Sequence, residues 1–207
     1  MIPLMLNLTG RRVIIFGGGD VGRRKAAFFL PESDVRVVSR SFHPDVLALP
    51  VTVMTRDLGT ATDGDIAGLV EGAFLAVAAT SDPGLNNRIG EICREKGVLF
   101  NNADGQEGDV LLPAVARGGE YCIAVSTKGS SPAVARWLRR RIERECTGLD
   151  GMIMLQKELR GMLKEKNGSQ QERNAILRDL LDDEEIWTLV SRDISSARAL
   201  MKRKYLP

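Results

Sequence analysis

The chain has 207 residues, of which 43% are hydrophobic and 27% are charged, proportions that are ordinary for a globular protein with a buried core. The 29 Lys and Arg residues nearly balance the 27 Asp and Glu residues, so the overall charge does not favour a nucleic-acid partner. No apolar run approaches the ~18 residues that span a bilayer, and a signal-peptide pattern is absent, so we expect no membrane association.

The first strong motif is a glycine turn between a predicted strand and a predicted helix. Residues 13–16 form a β-branched apolar run that is typical of a buried parallel strand, and residues 23–30 are good helix formers. The glycines between them have G-x-G-x-x-G spacing, in which one glycine turns the chain, one admits a pyrophosphate and one allows close packing. The free N–H groups at the helix N-terminus then face the phosphates. This pattern predicts dinucleotide binding through Gly17, Gly19, Asp20, Val21 and Gly22.

Four further runs predict strands of the same sheet. In chain order they are residues 35–39, 51–56, 74–80 and 98–102. The run at 51–56 alternates enough to lie near an edge, and helices are expected at 63–71 and 86–96. Residues 3–8 form a lead-in that is a candidate edge strand. Because strands alternate with helices, we predict an α/β fold with a Rossmann-type parallel sheet over residues 1–112.

Polar residues at the carboxyl ends of these strands are candidate ligand contacts, since ligands bind there in open α/β sheets. Ser39 and Arg40 lie at the end of the second strand. Either they lie in a solvated loop, or Ser39 meets the ribose, or Arg40 accepts a 2′-phosphate and admits NADP. Thr80 ends a strand of small residues that would let a flat ring lie close to the backbone. Asn101 either holds an amide of the ligand or caps its strand.

Asp104 lies just beyond the fifth strand, beside the expected nicotinamide position. There a carboxylate would act as general acid or base on a bound ring substrate. The competing interpretation is an Asp-Gly turn residue with no chemical role.

The pattern changes after residue 112. Residues 109–116 and 120–126 are β-rich runs around a Gly-Gly pair, which predicts a hairpin. Ser131 and Pro132 predict the start of a helix over 133–145. From residue 147 apolar positions recur at helical spacing, with a connector at 167–169. We therefore predict a small α+β segment at 113–145 and a helical region at 146–207.

Two basic features lie in this part of the chain. Ser126, Thr127 and Lys128 precede a capped helix and are similar to an anion-binding turn. The helix that follows is rich in arginine, including Arg136. It is either a solvated face or a surface for a polycarboxylate ligand, because arginine binds carboxylates bidentately.

Cysteine and histidine usage excludes other classes of site. Cys93, Cys122 and Cys146 are far apart and odd in number, which argues against a disulfide framework and a cysteine-rich metal site. The single histidine, His43, offers little for a histidine metal cluster or for Ser-His-Asp chemistry. We expect no metal site and a reducing, cytoplasmic location.

Taken in order, these motifs resemble the dehydrogenase part of siroheme synthases, the precorrin-2 dehydrogenases. The resemblance covers about residues 3–145. It rests on residues 13–25, 78–82 with Asn86, 101–104, 112–114 and 124–132.

The resemblance implies NAD-dependent oxidation of precorrin-2 to sirohydrochlorin, with insertion of ferrous iron in some members. NAD is then expected rather than NADP, and a homodimer is expected through residues 113–145. The key aspartate of the family matches Asp104, and its active-site serine falls on Thr127. The implied substrate contacts are Asn86, Ser126, Thr127, Lys128 and Arg136. Two alternatives stay open: a regulatory NAD-sensing module without chemistry, and a structural oligomeriser.

Overall fold

The computed structural model describes residues 2–104, 108–165 and 169–206. The chain divides into two compact units, residues 1–112 and 113–207, and each is described by itself below. The further division at residue 145 stays a prediction.

A five-stranded parallel sheet forms the centre of the first unit. Its strands are β1 (Arg12–Phe16), β2 (Asp34–Ser39), β3 (Thr52–Thr55), β4 (Leu75–Ala78) and β5 (Leu99–Asn102). The order across the sheet is β3-β2-β1-β4-β5, and all neighbouring strands run parallel. This is the strand order of the Rossmann fold, so the predicted fold class is confirmed, and β3 lies at an edge as its alternation predicts.

Helices cover both faces of this sheet. They are α1 (Asp20–Phe29), α2 (Pro44–Leu47), α3 (Asp63–Val70) and α4 (Pro83–Glu95). Ile14 and Phe16 of β1 belong to one apolar core, whereas Val13 and Ile15 belong to another. Burial on both faces explains why β1 is continuously apolar rather than alternating.

Three segments of the first unit differ from the sequence predictions. Residues 3–8, the candidate edge strand, have no strand structure. The run predicted at 109–116 becomes a strand only at Ala114, because its first residues attach to β5: Asp109 Oδ2 accepts from the Phe100 N–H at 3.1 Å, and Val110 N–H donates to Phe100 O at 3.0 Å. The short helix α2 was not predicted, although His43 caps it by accepting from the Asp45 N–H.

The second unit begins with a hairpin and continues as helices, as predicted. Its elements are β6 (Ala114–Arg117), β7 (Cys122–Val125), α5 (Pro132–Glu145), α6 (Leu149–Glu165), α7 (Gln170–Leu181), α8 (Glu184–Val190) and α9 (Ile194–Tyr205). Strands β6 and β7 are antiparallel, and Ser131 caps α5 by accepting from the Val134 N–H at 3.3 Å. The apolar positions that recur at helical spacing along α6 belong to the core, and Met152, Leu155 and Leu159 are fully buried. Of the predicted connector, residues 167 and 168 lie outside the described ranges.

Among the residues that the structure describes, no helix is long and apolar enough to cross a membrane.

Candidate active site

The carboxyl ends of four strands lie side by side in the first unit. Phe16 at the end of β1 is in register with Val38 of β2 and Ala78 of β4, and Ala78 is in register with Asn102 of β5. The order of the strands reverses between β1 and β4, and a cavity of about 730 Å³ lies there. Such a reversal is the usual ligand site of an open parallel sheet.

At two positions of the turn, neighbouring backbone atoms leave no room for a Cβ, so only glycine fits. Gly17 has φ +116°, and a Cβ added to it would lie 2.3 Å from Ala79 O at the end of β4. A Cβ on Gly22 would lie 1.9 Å from Gly17 O, so helix α1 packs directly on the turn. Sequence spacing did not single out Gly18, yet its Cβ would lie 2.4 Å from Ser41 O.

Gly19 has no such structural requirement. Its φ of −80° suits any residue, and an added Cβ would have no neighbour within 4 Å. It lines the cavity and caps α1 without a side-chain hydrogen bond to the first N–H groups of the helix. A small residue beside uncapped N–H groups is the arrangement that admits a phosphate.

The cavity wall contains most of the residues predicted to bind a dinucleotide. Those lining it are Gly17, Gly19, Asp20, Val21, Ser39, Arg40 and Thr80. Sequence reasoning missed Ser41, Phe42, His43 and Asp57, which also line it. They lie on the connections after β2 and β3, where no motif marks them. Their only signal in the sequence is that they follow strand ends.

Asp20 places a carboxylate at the N-terminus of α1, where neighbouring arginines offset its charge. Its Oδ1 accepts from Arg23 Nη2 at 3.0 Å, and Arg24 Nε lies 3.3 Å from its Oδ2. The hydrogen bond from Arg23 lowers the pKa of Asp20, so the group is ionised and paired at neutral pH.

Asp104 lies in the turn after β5 and is exposed. Its Oδ2 accepts from Asn86 Nδ2 at 2.8 Å, and its backbone N–H donates to Asn102 Oδ1 at 3.1 Å. No described residue bonds to its Oδ1. Among the described residues, the carboxylate is therefore held at one oxygen only.

Two predicted contacts do not fit their predicted roles. Asn86 is fully buried, and both its amide donors and its carbonyl oxygen bond to Thr80 and Asp104, so it is not placed to touch a substrate. Asn101 is 3% exposed and donates to Val110 O at 2.7 Å. It does not line the cavity, and its position is at odds with direct cofactor contact. The sequence located both residues but not the direction of their side chains.

The predicted anion-binding turn of the second unit is a compact hydroxyl-bonded turn. Ser126 Oγ accepts from the Lys128 N–H at 3.1 Å, and Thr127 Oγ1 accepts from the Ser131 N–H at 3.0 Å. Lys128 has φ +53°, an unusual conformation for a residue with a side chain. Its side chain is exposed just ahead of helix α5.

The arginines of α5 fall into two groups. Arg139 pairs with Glu143 and Arg141 with Glu145, each at 2.9 Å and four residues apart. Within the described part of the chain, the remaining three have no ion pair or hydrogen bond. These are Arg136, Arg140 and Arg144. Their spacing of four places them on one side of the helix, where they form an arginine row.

Across residues 2–104, 108–165 and 169–206, no group of three or more His, Cys, Asp or Glu side chains is arranged to hold a metal ion.

Comparisons with known proteins match nearly the whole chain. It is 41% identical over 201 residues to the precorrin-2 dehydrogenase of Methanosarcina barkeri. The aligned region covers 95% of this chain and 89% of that protein. It is 37% identical over 144 residues to the siroheme synthase of Azotobacter vinelandii, which covers 69% of this chain but 30% of that protein. The solved structure of SirC, precorrin-2 dehydrogenase, matches with a TM-score of 0.71 over 98% of this chain and 100% of that one. At 23% identity, that match shows the fold.

The sheet order, the glycine turn and the cavity define a dinucleotide-binding protein of the Rossmann type. The model of an NAD(P)-binding family matches residues 4–114, and that of the sirohaem biosynthesis protein central region matches residues 123–145. With the 41% identical relative, these matches show the family. The chain belongs to the precorrin-2 dehydrogenase family.

Proposed function

We propose that this protein oxidises precorrin-2 to sirohydrochlorin with NAD as the hydride acceptor. The observation that carries the proposal is the exposed carboxylate of Asp104, hydrogen-bonded through Asn86 to Thr80 in the wall of the nucleotide cavity. The precorrin-2 dehydrogenase that is 41% identical to this chain supports the choice of substrate.

The cavity fits a dinucleotide. Gly17 and Gly19 would let the backbone approach the pyrophosphate, which would lie on the uncapped N–H groups at the start of α1. Ser39 is the last residue of β2, and a ribose hydroxyl is usually bound at this end of the second strand. Arg40 is exposed at the same edge of the sheet, where it would meet the 2′-phosphate of NADP. The affinity for NADP is therefore measured beside that for NAD.

Gly19→Ala tests the position proposed for the pyrophosphate. Because an added Cβ would have no protein atom within 4 Å at a residue that lines the cavity, we expect the fold to be retained, with a small loss of stability from the poorer N-cap. We expect a dissociation constant for NAD raised about tenfold or more. Calorimetric titration measures it. Gly68→Ala is the control, since Gly68 is exposed within α3 and also has open space around it. Parental NAD affinity in Gly19→Ala would contradict this position for the pyrophosphate.

The chemistry proposed for the site is the removal of a hydride and a proton from the substrate. A bound nicotinamide supplies the acceptor for the hydride. Asp104 is the group that we propose takes the proton, since Asn86 holds its Oδ2 and no described residue bonds to its Oδ1. Because Asp104 is exposed, solvent can take that proton between turnovers.

Substrate recognition is proposed for the second unit. Precorrin-2 carries eight carboxylates, and the arginine row offers three guanidinium groups that no described side chain neutralises. Lys128, exposed in the turn ahead of α5, adds a further positive charge. Ser126 and Thr127 are proposed to contribute hydroxyl contacts beside it.

The second prediction separates the two groups of arginines. Arg136→Ala and Arg140→Ala are each expected to raise the KM for precorrin-2 about tenfold, the loss of one charge-assisted hydrogen bond, with little change in kcat. Arg141→Ala is the control because Arg141 is already paired with Glu145. Steady-state kinetics at low ionic strength measure the effect. Equal KM changes in all three variants would point to net charge rather than to the arginine row.

A homodimer is proposed through residues 113–145. Trp137 and Val134 on α5 are 52% and 47% exposed, which is unusual for large apolar side chains and fits a face covered by a second copy. Sedimentation equilibrium tests it, and a monomer at micromolar concentration would contradict it.

A cytoplasmic location is proposed on the state of the cysteines. Cys93, Cys122 and Cys146 are all free thiols, and burial raises the pKa of Cys93 to about 12. Free thiols are usual in a reducing compartment.

One experiment tests the proposed function directly. Purified protein is mixed anaerobically with NAD and enzymatically generated precorrin-2, and NADH and the tetrapyrrole spectrum are followed. We expect NADH to appear together with the spectrum of sirohydrochlorin. Binding of NAD without a spectral change would favour the regulatory NAD-sensing module, and failure to bind any dinucleotide would favour the structural oligomeriser.

A further inference from the structure

Asn86 is a polar side chain buried in the first turns of helix α4, against the carboxyl edge of the sheet. It is 0% exposed, and its hydrogen-bonding capacity is fully used. Its Oδ1 accepts from Thr80 N–H at 3.2 Å and from Thr80 Oγ1 at 2.7 Å. Its Nδ2 donates to Thr80 O at 3.2 Å and to Asp104 Oδ2 at 2.8 Å.

These bonds join the ends of two neighbouring strands. Thr80 follows β4 and lines the nucleotide cavity, whereas Asp104 follows β5 and is exposed. Main-chain pairing holds the two strands together up to Ala103 N–H, which donates to Ala78 O at 2.9 Å. Beyond that point Asn86 is the described side chain that connects both turns.

We propose that Asn86 is a positioning residue, which holds the carboxylate of Asp104 at a set place relative to the cofactor cavity. The inference rests on the proposed function. A buried amide is costly unless each polar atom is bonded, so the Asn86 side chain has essentially one stable orientation. That orientation presents one N–H to Oδ2 of Asp104, and no described residue bonds to the second oxygen of the carboxylate.

The rate of proton transfer depends on where the acceptor lies. A proton acceptor works when it lies within hydrogen-bond reach of the atom that loses the proton, and a misplacement of about 1 Å costs about a hundredfold in rate. Asp104 is an exposed side chain on a turn. Its backbone N–H bonds to Asn102 Oδ1, but only Asn86 among the described residues bonds to its carboxylate.

The test is a double-mutant cycle of Asn86→Ala and Asp104→Asn, measured as kcat for NADH formation with precorrin-2. Asn86→Ala alone is expected to lower kcat about a hundredfold, with the dissociation constant for NAD within about threefold of the parent. If Asn86 acts through Asp104, the double variant is no slower than Asp104→Asn by itself, because the group being positioned is already lost.

Two further variants complete the design. Asn87→Ala is the matched control, since Asn87 is the next residue on the same helix and is exposed. Among the described residues its side chain has one hydrogen bond, which it accepts from Asn102 Nδ2 at 3.4 Å. Its kcat is expected within about twofold of the parent. If Asn86→Ala does not fold, Asn86→Ser is measured in its place. Serine keeps a hydroxyl that can bond to Thr80 but is too short to reach Asp104.

The outcomes separate this role from the alternatives. Additive losses in the double variant, or loss of NAD binding in step with kcat, would assign Asn86 a general structural role and overturn the inference. An unchanged kcat in Asn86→Ala would overturn it as well. If the parent protein itself forms no NADH, the proposed function fails and the inference fails with it.

Discussion

Gly22→Ala is expected to destabilise the protein strongly. The new Cβ would lie 1.9 Å from Gly17 O, a backbone atom that cannot rotate away, so α1 must move off the turn. Overpacking of this kind costs about 3 kcal/mol or more. For a unit of this size the melting temperature would fall by roughly 12 °C or more, and NAD affinity would fall with it.

Thermal unfolding followed by circular dichroism measures that effect. The control is Gly68→Ala in the same unit, where the site is exposed and helical, and alanine is expected to stabilise the protein by about 1 kcal/mol. A melting temperature for Gly22→Ala equal to that of the parent would mean that α1 does not pack on the turn as described.

Asp104→Asn is expected to have the largest effect on catalysis. Asparagine keeps the size of the side chain and an oxygen that accepts from Asn86, so fold and NAD binding should be unchanged. It cannot take up a proton as a carboxylate does. Loss of a general base typically lowers kcat by about 10² to 10⁴-fold, and we expect a decrease in that range.

Initial rates of NADH formation at saturating precorrin-2 and NAD measure this loss. Asp109→Asn is the matched control, because Asp109 is a nearby exposed aspartate whose oxygen accepts from Phe100 N–H, as an asparagine oxygen also does. A parental rate in Asp104→Asn would remove Asp104 from the proton transfer, whatever the affinity for NAD.

The fold of the first unit was largely readable from the sequence because its signals are local. A continuous apolar run such as residues 13–16 is typical of a strand buried on both faces, and glycine spacing marks the turn that follows. The edge position of β3 follows from its alternation. Residues 3–8 did not become a strand, because alternation and apolarity alone do not provide a neighbouring strand to pair with.

The candidate site was readable only in part. Spacing located Gly17, Gly19 and Gly22, but treated Gly18 as variable. Its need for glycine arises from Ser41, on a connection more than twenty residues later in the chain. For the arginines of α5, sequence analysis predicted only a basic helix. The structure divides them, because Arg139 and Arg141 each pair with a glutamate four residues on, whereas the arginine row has no such partner among the described residues.

By itself, the sequence determined the alternation of strands and helices, the glycine turn, the family resemblance, and the position of Asp104 beyond a buried strand. These depend on residue type and short-range spacing. Only the tertiary structure decided that Gly19 faces open space while Gly22 meets backbone, that Asn101 bonds to Val110, and that Asn86 links Thr80 to Asp104. The physical reason is that side-chain direction and hydrogen-bond pairing depend on residues distant in the chain, which parallel strands bring together at one edge of the sheet.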